Sequence, residues 1–215
     1  MFQNKKDIVF VVLAGFFITN AIVAEMIGGK LIQLGPFALS IGIIPWPFVF
    51  LSTDLINEHF GKSGVRKLTM LTSALITYAF IILFLGMSVP AATFSPVSDS
   101  NFLAVFGQSM WIIIGSLTAF ILSQLIDASI FWLFKSKTGD RLIWLRATGS
   151  TAISQFIDTF VVAGIAFLLP GKVSFNQYMD MSLTGYSAKL IIAILLTPLI
   201  YTGHKMINKF LSPQA

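Results

Sequence analysis

The sequence predicts an all-α integral membrane protein, a single bundle of six transmembrane helices, some broken or kinked, with N- and C-termini cytoplasmic. Three observations lead there. Hydrophobic residues make up 56% of the 215 positions and charged residues 11%, with a mean hydropathy of +0.86, whereas soluble domains carry about 25% charged residues. Six mostly apolar segments lie at about 8–28, 37–57, 67–89, 110–134, 147–169 and 184–206, each near the roughly 20 residues that cross a bilayer. Lys and Arg, finally, sort by loop. With the N-terminus inside, 11 of the 14 fall on the inner side, Lys30 and Lys172 fall outside, and Lys189 lies within the sixth span. That is the cytoplasmic bias of membrane proteins, and an odd number of spans would destroy it.

The first span follows Lys5, Lys6 and Asp7 and runs past Ala24, too long for a signal-peptide core of about 7–15 residues. The stretch GGKLIQLGP forms an outer loop. Pro45 and Pro47 in IIPWPFVF interrupt the second span, because proline removes a backbone donor and clashes with the preceding turn. GKSG at Gly61 is a cytoplasmic loop, too short for a phosphate-binding loop and preceded by no strand. The fourth apolar region begins early, at Phe102, so a break near Gly107 or Gly115 or an interfacial lead-in is expected. PGKVSFNQYMD is an outer loop, and Pro198 interrupts the sixth span. No linker divides the chain, so residues 1–215 form one domain.

Several functions are excluded. Cysteine is absent, which removes disulfides, thiolate catalysis and Cys-based metal sites. His59 and His204 are too few and too distant in sequence for a metal site and read as interfacial residues near helix ends. The net charge of +5 follows membrane topology and implies no nucleic-acid partner. Without a phosphate-binding loop the chain does not hydrolyse ATP by that route. No cofactor is implied.

Ionisable groups within spans cost at least about 2.5–3.5 kcal/mol each and face a bundle interior or a cavity. Glu25 ends the first span, with Asn20 a turn and a half earlier. Asp54, Asn57 and Glu58 close the second at i, i+3 and i+4. Gln124 and Asp127, like Gln155 and Asp158, are three apart and share a helix face; Thr151 extends the second stripe. The phrase Ser-Gln-X-Ile-Asp occurs at Ser123 and again at Ser154. At 1.5 Å per residue, Asp127 lies about 12 Å before Lys135 and Asp158 about 18 Å beyond Arg146. On antiparallel spans the two can meet in the inner half of the bilayer. Two carboxylates, two amides and Lys189 suit a solute with several N–H donors and carbonyl acceptors, such as the edge of a nucleobase-like ring. Trp46, Trp111 or one of 21 Phe can stack on it. The bland alternative is helix–helix glue.

The strings FVFLSTDLINEHFGK, SQLIDASIFWLF, RATGSTAISQFIDTFVVAGIAF and GYSAKLIIAILLTPLIY, in order over nearly the whole chain, resemble the vitamin uptake transporter family, better known as the queuosine precursor transporters. The resemblance implies a six-helix, multi-pass importer in the cell inner (plasma) membrane. Its substrates would be the 7-deazaguanine bases preQ0 and preQ1, salvaged for tRNA modification. By resemblance, Asp54, Asn57, Glu58, Gln124, Asp127, Gln155, Asp158 and Lys189 match the family's polar positions. The expected partners are a 7-deazapurine base and the lipid bilayer, with room for a homo-oligomer. Two alternatives stand beside this. One is a substrate-binding subunit served by a separate ATPase, as in energy-coupling-factor importers. The other is an intramembrane enzyme with Asp127 and Asp158 as paired carboxylates, which lacks the Gly-X-Gly-Asp string of intramembrane aspartyl proteases.

Overall fold

The computed structural model describes residues 4–35, 37–139 and 141–212. In chain order they form α1 (Lys5–Ile27), β1 (Leu31–Leu34), β2 (Phe37–Ser40), a 3-10 turn (Ile41–Ile43), α2 (Trp46–Ser88), α3 (Asp99–Phe106), α4 (Met110–Thr138), α5 (Ile143–Ala163), a π turn (Gly164–Leu168) and α6 (Phe175–Leu211). Five helical stretches are long and apolar enough to cross a bilayer: Lys5–Ile27, Ile41–Ser88, Asp99–Thr138, Ile143–Leu168 and Phe175–Leu211. This is a multi-pass membrane protein.

Local chemistry explains where the helices begin. The Asn4 side chain accepts from the Lys6 N–H, and Asp7 sits in the first turn of α1, where an acidic group suits the helix dipole. Pro45 caps α2 and Pro47 falls in its first turn, so both prolines start this helix rather than interrupt it. The first-turn N–H groups of a helix have no internal partner, which makes proline harmless there. Ser174 and Gln177 close a capping box on α6.

Other departures from the sequence reading also have local causes. The described residues are not entirely α-helical, because Leu31–Leu34 and Phe37–Ser40 pair as antiparallel strands, Leu31 with Ser40 and Leu34 with Phe37. FNQYMD belongs to α6, not to a loop. GKSG forms no extended loop but a tight turn: the two helical halves of α2 meet at Gly61, whose φ of 76° and ψ of 175° are non-helical. The break before α4 falls at Gly107, between Phe106 and Met110. Gly115 lies inside α4, where an added Cβ would stand 3.3 Å from Val162 O and Ala166 N. Its missing side chain lets α4 approach the π turn, the small-residue packing typical of membrane helices.

Packing is strongest between α4 and α5, α1 and α2, α5 and α6, and α2 and α4. Phe17, Ile56, Ile76 and Phe120 anchor the apolar core, while Val12, Phe16, Ile81, Leu85 and Leu195 point outward. Polar side chains are nearly as common as apolar ones in the interior, as expected when lipid, not water, is outside.

Gly61 supplies a test. Its backbone region is essentially confined to glycine, and a non-glycine residue there costs about 1–3 kcal/mol. Gly61→Ala should therefore lower the thermal unfolding midpoint of the protein in nanodiscs. Gly15→Ala, where an added Cβ meets nothing within 4 Å, should leave it unchanged or raise it by the helix preference of about 1 kcal/mol.

Candidate functional site

The polar stripes of α2, α4 and α5 face one another. Asp54, Asn57, Gln124, Asp127, Gln155 and Asp158 are all buried. From α2, the Thr53 hydroxyl lies 2.9 Å from Val49 O of its own helix and 3.1 Å from Gln124 Oε1 on α4. Between α4 and α5 the bonding is reciprocal. The Ser123 hydroxyl lies 3.3 Å from Asp158 Oδ1 and 3.2 Å from Phe120 O of its own helix, and the Ser154 hydroxyl lies 3.1 Å from Asp127 Oδ1 and 3.1 Å from Thr151 O. Thr151 adds a longer contact to Asp127 Oδ1 at 3.5 Å.

Both serines belong to the repeated phrase. In Ser-Gln-X-Ile-Asp the serine precedes the aspartate by four residues, so both lie on one helix face. Two antiparallel copies then place the serine of each against the aspartate of the other.

The two aspartates differ in what else they meet. Lys189 on α6 donates to Asp158 Oδ2 at 2.6 Å, forming an ion pair. Asp127 Oδ2 has no hydrogen-bond partner among the described residues, nor does Asp54 Oδ1, nor either amide atom of Asn57, whose exposure is 0%. Asp127 and Glu58 are the charged neighbours of Asp54. Gln155 makes no side-chain bond among the described residues. Glu25 is buried at the far end of α1 and counts Asp158 and Lys189 among its charged neighbours.

Glu58 is placed differently. Its Oε1 accepts from Arg146 Nη2 at 2.8 Å and lies 3.1 Å from Lys135 Nζ. Lys135 also donates to Glu58 O at 3.2 Å, and Arg146 Nη1 donates to Gly139 O at 2.6 Å. Arg146 is 1% exposed. This clamp joins α2, α4 and α5 at the end of the bundle beyond Asp54. Trp46 stacks on Phe50 at 5.9 Å and meets Phe120 at 6.0 Å, at the opposite end of the same α2 arm.

The two histidines, far apart in sequence, meet in space. His59 and His204 stack with centroids 5.0 Å apart, and Asn208 Nδ2 lies 2.9 Å from His204 Nε2. No three His, Asp or Glu side chains gather into a metal site among the described residues.

Sequence reasoning missed Ser123, Ser154 and Thr53, and it counted Arg146 as a loop charge. The i, i+4 spacing of Ser and Asp was the available signal for the serines. Nothing in the sequence distinguishes buried Arg146 from exposed Arg141.

The family model described as "Putative vitamin uptake transporter" matches residues 40–203. The chain belongs to that family. A "Probable queuosine precursor transporter" of Bacillus subtilis (strain 168) is 32% identical over 180 residues, covering 83% of this chain and 77% of the relative. One of the same description from Haemophilus influenzae (strain ATCC 51907 / DSM 11121 / KW20 / Rd) is 29% identical over 166 residues, 72% of this chain and 63% of the relative. The "Queuosine precursor transporter" of Escherichia coli (strain K12) is 29% identical over 158 residues, 71% of this chain and 66% of the relative. No solved structure matches. The relatives are named as transporters, not enzymes, and a transporter role follows for this chain.

The clamp can be tested by a double-mutant cycle. Removing one partner of a buried ion pair strands the other charge and costs about 3–5 kcal/mol. Glu58→Ala and Arg146→Ala should each unfold the protein at markedly lower temperature. The double variant should fall short of the sum by roughly 0.5–3 kcal/mol, and strict additivity would mean that the two side chains do not act as a pair.

Proposed function

We propose that this chain is a single-domain importer of the 7-deazaguanine queuosine precursors preQ0 and preQ1, working in the inner (plasma) membrane for queuosine salvage. It crosses the membrane six times, with both termini cytoplasmic; the break at Gly61 divides α2 into two crossings, which restores the alternation of Lys and Arg. The carrying observation is the Lys189–Asp158 ion pair in the bundle interior, flanked by the Ser123 hydroxyl, with Gln124 and Gln155 buried on the same two helices. An intramembrane ion pair of this kind marks a substrate pathway by default.

The chemistry suits a deazaguanine. Its N1–H and 2-amino group can donate to the Asp158 carboxylate while O6 accepts from Lys189. Gln124 and Gln155 each offer a donor and an acceptor on one group. Trp46, with Phe50 and Phe120 beside it, supplies aromatic faces for stacking. Asp54, Asn57 and Asp127 form the deeper wall, on the side of the clamp. Glu58, already held by two cations, closes the pocket and does not contact the base.

The test is uptake of labelled preQ1, with queuosine in tRNA as the second readout, in cells that cannot make the base and lack energy-coupling-factor ATPase modules. Wild type should restore queuosine at low precursor; failure to do so removes the substrate assignment. Asp158→Ala and Lys189→Ala should each lose about 10- to 100-fold in uptake, the worth of a charge-assisted hydrogen bond of about 1.5–3 kcal/mol. Normal uptake by variants present in the membrane at wild-type level removes the pocket.

Because the chain has no native cysteine, single-cysteine labelling can read the topology directly. Cysteines replacing Lys62 or Lys137 should react with an impermeant reagent only from the cytoplasmic face. Those replacing Lys30 or Lys172 should react only from outside.

A further inference from the structure

We propose that Asp54 and Asp127 together hold an exchangeable proton, and that its passage to the cytoplasm drives uptake. The proposal rests on the transporter reading above. It starts from a balance of interior charge. Five carboxylates lie in or at the rim of the bundle interior: Glu25, Asp54, Glu58, Asp127 and Asp158. Among the described residues, three salt bridges engage them, and all three go to Glu58 or Asp158. Lys135 and Arg146 are both spent on Glu58, and Lys189 on Asp158. Glu25 stands near the end of α1. Asp54 and Asp127 remain, buried on facing helices, and like Glu25 they have no cation partner among the described residues.

The reciprocal Ser-Gln-X-Ile-Asp pairing sharpens the contrast. Asp127 and Asp158 occupy equivalent places, each taking a serine hydroxyl from the opposite helix. Only Asp158 receives a lysine. Two adjacent carboxylates that are both ionised in a low-dielectric interior repel each other and lose their hydration. Such a pair takes up a proton and titrates as a unit. The neutral cyano base preQ0 cannot supply the missing positive charge, whereas the aminomethyl ammonium of preQ1 would compete with the proton for this pair.

The unpartnered atoms match what a proton requires. Asp127 Oδ2 and Asp54 Oδ1 are both buried without a hydrogen-bond partner among the described residues, so either can form the O–H bond. The groups facing the pair are accounted for on each side. Glu58, one turn along α2, is paired with Lys135 and Arg146, while Thr151, Ser154 and Ser150 from α5 are uncharged. Asp158 is neutralised by Lys189 of α6, and His59 stacks on His204 beyond Glu58. In the cycle, a proton from external water bonds to a carboxylate oxygen of the pair. It then leaves to cytoplasmic water, and the pair returns to its starting charge.

Infrared difference spectroscopy of the protein in nanodiscs, taken across a pH step, reads the site without substrate. The carbonyl band of a protonated carboxyl should be present in wild type and lost or shifted in both Asp54→Asn and Asp127→Asn. If the wild-type band is absent, or neither variant changes it, the proposal is overturned. In proteoliposomes with labelled preQ0, the neutral precursor, an inward pH gradient of one unit with the membrane potential clamped at zero should drive accumulation of about tenfold for one proton per base. An entrapped pH dye should report acidification, and a protonophore should abolish accumulation. Whatever base still enters through Asp127→Asn should do so without acidification or response to the gradient. Accumulation that follows sodium and ignores pH overturns the proposal. Wild type that carries no base while showing the infrared change would discard the substrate assignment and keep the proton site.

Discussion

Hydrocarbon does not solvate charge, and lipid tails are as apolar as leucine, so burying leucine does not by itself hold membrane helices together. In this bundle polar groups supply much of the missing specificity. Asp158 of α5 is met by Ser123 of α4 and Lys189 of α6; Asp127 of α4 is met by Ser154 and Thr151 of α5. Thr53 ties α2 to Gln124, and Glu58 ties α2 to both Lys135 and Arg146. Asp158, Asp127 and Glu58 are each answered from a different helix, so satisfying them also fixes which helices are neighbours and at what height, whereas Asp54 Oδ1 and the Asn57 amide have no partner among the described residues.

The Ser-Gln-X-Ile-Asp phrase shows how little sequence such a device needs. Serine and aspartate four apart share a face, and two antiparallel copies crossing at that height form two hydroxyl–carboxylate bonds at once. The geometry is close to two-fold symmetric, whereas the chemistry around it is not. Lys189 reaches one aspartate only, and α2 presents Asp54 on the side of the other. A symmetric scaffold thus carries two carboxylates of different electrostatic character, one ion-paired and one without a cation. Environment, not residue type, assigns distinct roles to like side chains.

The membrane class, the shared polar interior and the facing of Gln124, Asp127, Gln155 and Asp158 were legible because their causes are local: hydropathy over one span and spacing on one helix. The roles of Glu58 and Arg146 were not. Asp54, Asn57 and Glu58 share a face, yet one turn along the helix decides that Glu58 reaches Arg146 on α5, and that contact is set by the crossing of helices. The His59–His204 stack escaped for the same reason, since it exists only where α2 and α6 approach. Pro45 and Pro47 were misread because proline signals an end or a kink with equal ease, and the Ser40 hydroxyl bonding Gly28 O and Gly42 N fixes where α2 can begin. Gly61 hid a sharp bend within an otherwise helical run.

The two ends of the bundle are fastened by different chemistry. Beyond Asp54 the clamp consists of ion pairs: Glu58 with Arg146 and Lys135, and Arg146 reaching on to Gly139 O. At the other end the ties are neutral, the Ser40 hydroxyl on Gly28 O at 2.7 Å and the Gln108 amide on Glu25 O at 2.7 Å. Charge-assisted bonds are roughly twice as strong as neutral ones. In the proposed orientation the ion-paired end lies toward the cytoplasm and the neutral end toward the outside, so parting the inner end of the proposed importer costs more than parting the outer one.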